Sequence, residues 1–442
     1  MSELVKLIQE AGVVGAGGAG FPTHVKAGSR VQIFLANGAE CEPLLYTDQY
    51  MMRVYAREIL AGLKLMMNAT GAARGIVGLK AEYHDVLEAL EPEAAKYPDI
   101  EIKKLQSVYP SGDEQSLVYE CTGRIVPEGG IPLNVGVAVD NVETLYNVYQ
   151  ASRGVSLTMR TVTMNGEVRR PGVYRFPVGT SYTDAVAAAG GSDLPADQMA
   201  VVDGGPMMGA VRFGLGHFIK KTTGGLIVLP KDHGYILRRT MPKSRETLIT
   251  VSACCQCRAC TDLCPRYLLG HDLEPHKVMR AIQNRMELPP SQITQAWLCC
   301  LCGVCETVAC PLQLSPRNVF AMVRDELRAK GVQNPHHRQP EAVRDSYEYT
   351  KIPKMRALAR TGLMDYYKHL HEQELPFPIR KVSLALQQHV GAPAVPVVAT
   401  GDRVNAGQLV ARAPEGKLGA NLHASISGLV SGVFQDHIEI EG

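Results

Sequence analysis

Tryptophan occurs once in the 442 residues, at Trp297, and aromatic residues make up only 6%. The cores must therefore be built mainly from aliphatic side chains and from the 16 methionines. Net charge is nearly absent: 46 Lys plus Arg stand against 44 Asp plus Glu, giving +2, so no global field draws nucleic acid or an anionic surface to the chain. No apolar run approaches the roughly 18 residues that a membrane span requires. The opening MSELVKLIQEAG is mixed in charge and has no apolar signal region. The expectation is a cytoplasmic protein with neither a membrane span nor a nucleic-acid partner. Outside the stretch Cys254–Cys310 cysteine is limited to Cys41 and Cys121, which excludes a disulfide scaffold. At 45% apolar and 20% charged the chain has the composition of a globular protein, long enough for about three domains.

Ten of the 12 cysteines crowd between Cys254 and Cys310. Cys254, Cys257, Cys260 and Cys264 form C-x2-C-x2-C-x3-C followed by Pro265, the ferredoxin spacing for a [4Fe–4S] cluster. Cys299, Cys302, Cys305 and Cys310 repeat the pattern before Pro311, with the last gap one residue longer. A tight loop brings three thiolates at intervals of three onto three corners of a cuboidal cluster. The fourth corner needs a thiolate from elsewhere, which in two-cluster ferredoxins comes from the other run. This pairs Cys310 with Cys254, Cys257 and Cys260, and Cys264 with Cys299, Cys302 and Cys305. Two structural zinc sites are the alternative, although consecutive C-x2 steps supply more thiolates than one tetrahedral zinc uses. Cys255 and Cys300, each beside a ligand, are expected to pack as small apolar side chains. Trp297 is expected in the core against the second cluster.

The remainder changes texture along its length. Helical and β-branched stretches alternate over the first 150 residues: a short amphipathic N-terminal helix, a strand in VQIFLANGAE, a helix across 50–69, a strand around Ile76–Lys80 and a helix over 86–95. After Arg160, alternating apolar residues around Asn165-Gly166 and Pro171-Gly172 indicate a small strand-rich module with one helix from Tyr182. A basic linker near Gln333–Pro340 leads to short strands with glycine turns, GDRVNAGQLVA and HASISGLVSGV, resembling two halves of a β-sandwich. Gly15, Gly17 and Gly20 match the G-x-G-x-x-G dinucleotide spacing. Their context does not, since a helix precedes the loop and Pro22 comes too early for a long helix to start there. What survives is a glycine-rich turn whose amides approach a phosphate or a flat ring.

GAGGAGFPTHVK (Gly15–Lys26), NGAECEP (Asn37–Pro43), YPSGDE (Tyr109–Glu114) and VDNVETL (Val139–Leu145) occur in the order and approximate spacing of the FMN- and NADH-binding flavoprotein subunit of respiratory complex I. The chain resembles still more closely the RnfC subunits and the PduS-type cobalamin reductases of bacterial microcompartments, the latter over nearly its whole length. The resemblance implies a multidomain α/β and α+β fold. Its parts would be a complex I flavoprotein-like FMN/NADH-binding α/β domain over 1–155, a β-grasp (SLBB) domain over 156–240 and a helical ferredoxin-like domain with two [4Fe–4S] clusters over 245–330. A linker and helical segment over 331–378 and a barrel-sandwich hybrid over 379–442 would follow. That last module is N-terminal in RnfC, so its C-terminal position here favours the PduS type.

The same resemblance implies that Gly15, Gly17, Gly18 and Gly20 wrap the flavin with Lys26 nearby, and that Asn37 and Glu40 lie against the isoalloxazine and ribityl groups. Tyr109, Gly112, Asp113 and Glu114 would line the flavin and nicotinamide cleft, and Asn141 would approach the FMN phosphate. The implied activity is electron transfer from NADH through FMN and both clusters to cobalamin, reactivating a cobalamin-dependent diol dehydratase in propanediol utilisation. An RnfC-like subunit handing electrons to a partner protein is the alternative. Implied partners are an adenosyltransferase and a shell protein inside a microcompartment. Anaerobic reconstitution should yield one FMN and about eight iron per chain by metal analysis; two zinc in place of iron would overturn the cluster assignment.

Overall fold

The computed structural model describes residues 3–284 and 286–442. Strands β1 (Ile33–Asn37), β2 (Arg74–Lys80), β3 (Ile100–Leu105) and β4 (Val137–Asn141) form one parallel sheet in the order β3-β2-β1-β4. Both faces of β1 are apolar because both are covered. Phe34 and Ala36 enter a core with helices α1 (Glu3–Glu10), α3 (Thr47–Val54), α4 (Ala56–Thr70), α5 (His84–Ala94) and α7 (Val142–Ser152). Ile33 and Leu35 enter the opposite core with Leu117 and Val118 of α6 (Glu114–Thr122). The short α2 (Thr23–Ala27) follows the glycine loop. The strand order reverses between β1 and β4, and in open α/β sheets the crevice at the carboxyl ends of such strands is the standard ligand position.

The helix expected across 50–69 is two helices, broken at Tyr55 (φ −120°, ψ 32°). The break sets the Tyr55 ring 4.7 Å from that of Tyr146 and beneath the Arg175 guanidinium at 5.3 Å. Helix α4 ends at Gly71, whose φ of +73° gives the left-handed cap that a Cβ would oppose.

The second domain is a five-stranded sheet of β5 (Met159–Gly166), β6 (Gly172–Pro177), β7 (Met199–Asp203), β8 (Ala210–Phe213) and β9 (Gly225–Pro230), ordered β6-β5-β9-β7-β8. The pair β5/β9 is parallel, and the helix Tyr182–Ala188 packs on the sheet through Tyr182, Ala185 and Val186. The cysteine segment consists of short helices between the longer Lys243–Ala253, Pro275–Asn284 and Pro316–Ala329. The stretch read as a linker is a strap: the Glu128 amide donates to the Arg338 carbonyl (2.9 Å), and Ile352–Pro353 pairs antiparallel with Val108–Tyr109. The C-terminal module is two sheets of four and three strands around Val382, Leu384, Val410, Leu422, Ile438 and Ile440. It is joined to the rest by buried Lys221, whose Nζ donates to the carbonyls of Gly12 and Asn421 (2.7 Å each). No helix among the described residues is long and apolar enough to cross a membrane.

Helices α4 and α7 cross at Gly62, where an added Cβ would lie 2.7 Å from the Leu145 carbonyl carbon. Alanine ordinarily favours a helix interior over glycine by about 1 kcal/mol. Here the obstacle is backbone, and overpacking of this kind costs about 1–3 kcal/mol. Gly62→Ala should therefore lower the apparent Tm by calorimetry, against its intrinsic propensity.

Candidate functional site

Asn37 and Asn141 end the two strands that flank the crevice and are register partners. Asn37 Nδ2 donates to the Gly112 carbonyl (3.0 Å), and its Oδ1 accepts from the Ala39 amide (3.2 Å). Glycine is required at 112, because a Cβ there would come 2.7 Å from the Ala39 carbonyl oxygen. Asn141 caps α7, its Oδ1 accepting from the Glu143 amide (2.9 Å) while its Nδ2 donates to Asp48 (2.9 Å). The glycine loop is tied over these ends. The Ala16 amide donates to Thr144 Oγ1 (2.8 Å), the Arg160 guanidinium donates to the Ala16 carbonyl (2.8 Å), and the Gly15 amide donates to the Phe21 carbonyl (2.9 Å). Gly17 lies against Asn141, and Gly18, at φ +113°, faces open space with nothing within 4 Å of a Cβ position. Gly20, at φ +68°, packs against Thr222 and His389. Loop amides beside the amino end of an 11-residue helix make a cradle for an anion.

Lys26 Nζ donates to the Val139 carbonyl (2.5 Å) and to Asp140 Oδ1 (3.1 Å). Burial works against its charge, but Asp140 and Glu114 overcome this and raise its pKa above the ordinary lysine value. Burial raises both carboxylates in turn. Asp140 Oδ2 is buried with no protein partner. A half-buried cation beside an open glycine backbone suits a flat cofactor bearing a phosphate.

The YPSGDE segment divides between two neighbours. Gly112 and Glu114 belong to the crevice, whereas Tyr109 and Asp113 turn to the cysteine segment. The Tyr109 hydroxyl donates to the Cys302 carbonyl (2.6 Å). Asp113 caps α6, accepting from the Ser116 amide (3.1 Å), and receives both guanidinium nitrogens of Arg266 (2.6 and 2.9 Å). Burial would raise the Asp113 carboxyl, but the Arg266 charge and hydrogen bonds outweigh it and hold it below the usual range. The Glu40 carboxylate accepts from Thr47 Oγ1 (2.9 Å), the Asp48 amide (3.2 Å) and Gln49 Nε2 (3.2 Å), capping α3.

The cysteines stand around two cavities. Cys254, Cys257, Cys260 and Cys310 line one of about 390 Å³, and Cys264, Cys299, Cys302 and Cys305 line another of about 350 Å³. Each ring thus draws three thiols from one run and the fourth from the other. Gln256, Arg258 and Leu301 adopt left-handed φ values of 59°, 66° and 57°, a strain concentrated in the C-x2-C turns that wrap the cavities. The longer gap of the second run is absorbed by a π-helical turn, Cys305–Ala309, closed by the Cys310 amide donating to the Cys305 carbonyl (3.1 Å). Among the described residues no three His, Cys, Asp or Glu converge as a single-ion site; the thiols surround space for a body of several atoms. Burial and neighbouring thiols push Cys260 up to about 12, so ionising this thiol depends on a cation, and loading the site releases its proton. Cys255, like Cys257, is exposed, and it lines the first cavity rather than packing as a small apolar side chain. Cys300 is half-buried and lines the second cavity. Trp297 packs partly buried against the same apolar core that Cys254, Cys299 and Cys310 border.

Sequence reasoning passed over a second junction. Glu42 reaches into the loop of GGPMMG, accepting from the Met207 amide (2.9 Å) and the Met208 amide (2.7 Å). Arg239 and Arg317 donate to the Met207 carbonyl (2.9 and 2.7 Å), and Arg317 also pairs with buried Glu306 (2.9 Å) of the π-helical turn. Flavin-side loop, β-grasp loop and second cysteine ring therefore share one network. Nothing in sequence pairs Glu42 with position 207 or Asp113 with Arg266; the only available hint was an arginine directly after Cys264-Pro265.

Family models match four segments: Nuo51 FMN-binding domain over 8–150, SLBB domain over 161–211, 4Fe-4S dicluster domain over 253–315 and RnfC barrel sandwich hybrid domain over 368–441. The chain is 42% identical over 434 residues to cobalamin reductase PduS of Citrobacter freundii, covering 98% of this chain and 95% of that protein. It is 42% identical over 441 residues to cobalamin reductase PduS of Salmonella typhimurium, covering 99% and 96%. One component of the Na(+)-translocating ferredoxin:NAD(+) oxidoreductase complex of Acetobacterium woodii is 33% identical over 269 residues, covering 60% of this chain and 58% of that component.

Burial lifts Glu42 from 4.5 to about 7 in the folded protein, outweighing its two amide donors and both arginines. The folded state thus binds a proton that the unfolded chain has already released between those two values, and stability falls as pH rises through that window. Above about pH 7 the loss is complete. Glu42→Gln should flatten this part of the stability profile in chemical denaturation between pH 5 and 8.

Proposed function

The chain belongs to the family of PduS cobalamin reductases, and on that premise we propose that it is an oxidoreductase carrying electrons from NADH through FMN and two [4Fe–4S] clusters to cobalamin. FMN, when bound, accepts electrons in pairs as hydride and releases them singly, and each cluster carries one. Every other part of the task falls to the protein. Gly15, Gly17, Gly18 and Gly20, with the Asn141-capped end of α7, would hold the flavin phosphate and ring edge. Lys26 supplies a fixed positive charge, neutralised by Asp140 until an anion arrives. Asn37 and Gly112, hydrogen-bonded to one another, floor the cleft. Glu114, raised by burial and acted on by the Lys26 charge, would line the nicotinamide side of the cleft.

The observation that carries this reading is the sequence of contacts from crevice to surface. The loop that supplies Gly112 and Glu114 also supplies Tyr109 and Asp113, which touch the cysteine segment at Cys302 and at Arg266, two residues after Cys264. The second ring contains buried Cys264 and Cys302, whereas Cys257 of the first ring is exposed. Electrons entering beside the flavin would therefore reach the Cys264/Cys299/Cys302/Cys305 ring first and leave from the Cys254/Cys257/Cys260/Cys310 ring at the surface. An acceptor as large as cobalamin then needs only surface access, and residence within a microcompartment places it beside the diol dehydratase system it serves.

The similarity to part of an oxidoreductase complex supports a second reading, in which electrons pass to a partner protein. The isolated holoprotein should reduce cob(II)alamin with NADH, the product being trapped by alkylation. Reduction only after a partner is added would replace the first reading with the second.

A further inference from the structure

We propose that Arg266 is a positioning residue for the first electron step: clamped by Asp113, its guanidinium raises the reduction potential of the cluster in the Cys264/Cys299/Cys302/Cys305 ring. This rests on the electron-transfer reading above. Arg266 is only 6% exposed and stands two residues after Cys264, with its charge acting on Cys300 and Cys302. Its two nitrogens grip the Asp113 carboxylate, which the Ser116 amide and hydroxyl hold from the other side (3.1 Å each). The fork is thereby fixed between the flavin-side loop and the ring. A buried positive charge favours the form of its neighbour that carries one more electron, and burial keeps solvent and salt from screening it. Net charge near a cluster is among the factors that set its potential.

Arg317, which lines this cavity, pairs with Glu306 and contacts the β-grasp loop rather than the flavin side. Among the described residues, Arg258 beside the first ring is half-exposed and paired with Asp262 (3.1 Å). The step itself is a one-electron transfer in which no bond forms or breaks. The donor is oxidised by one electron, the acceptor is reduced by one, and Arg266 keeps its proton throughout.

The test is an EPR-monitored redox titration of the anaerobically reconstituted full-length protein, poised with chemical mediators in the absence of NADH and cobalamin. Its outcome is then independent of which acceptor the protein serves. Arg266→Gln should lower the midpoint of one cluster signal and leave the other in place. Asp113→Asn, which leaves the guanidinium uncompensated, should raise the same signal, and Arg266→Lys should stay near the parent. Opposite signs from two members of one ion pair are the signature of charge, since a purely structural role would shift both the same way. No shift, or shifts of one sign in both variants, overturns the proposal. If Arg266→Gln loses iron, Asp113→Asn and Arg266→Lys decide it: an upward shift in the former with the latter unchanged sustains the proposal, and its absence overturns it.

Discussion

The buried pair of Asp113 and Arg266 is the contact on which the working arrangement depends. Removing two charges from water is costly, and the cost is offset here by a bidentate fork and by the Ser116 amide, which satisfies the carboxylate from the α6 side. Losing one partner would leave a bare buried charge, a penalty of about 3–5 kcal/mol. The pair therefore ties the end of the flavin-side loop to the residue after Cys264-Pro265. Tyr109, at the start of that loop, repeats the tie to the carbonyl of Cys302. Two points of attachment, one near each end of a five-residue loop, tie the second cysteine ring to the crevice.

Around that fixed point the remaining domains act as braces. Glu42 engages the β-grasp loop, whose Met207 carbonyl is held by Arg239 and Arg317, and Arg317 returns to Glu306 beside Cys305. The strap at 331–353 holds the cysteine segment to the first domain from outside. Lys221 pins the C-terminal module next to the glycine loop. None of these groups touches the crevice or the cavities directly, Arg317 excepted. Each limits the relative motion of parts that must exchange electrons over a set separation.

The exchange of Cys264 and Cys310 between the rings has a further structural consequence. Neither run can complete its ring alone, so the two must fold against each other before either cavity exists. The helices between them, with Trp297 packed against the same apolar core as cysteines of both runs, form the scaffold that this exchange requires. The extra residue before Cys310 is taken up locally by the π-helical turn, which leaves the closing thiol in position.

Much of this protein was legible in the order of its residues. Cysteine intervals of three announce thiolate turns because such a turn is local, set by a few φ and ψ angles. The glycines between positions 15 and 20 announce close backbone approach for the same reason, and alternation of apolar patterns separates the α/β region from the strand-rich modules. The quartet that forms each ring was also within reach, through a general property of two-cluster sequences. Tertiary structure alone decided the long-range pairings. It brought Asn37 and Asn141 together as register partners, turned the Glu40 carboxylate onto α3, left Cys255 exposed, and joined Asp113 to Arg266 across 153 positions. Local sequence encodes what a short segment does with its own backbone. Which buried charge meets its partner is determined only when separate cores pack, because desolvation penalises every arrangement in which they do not meet.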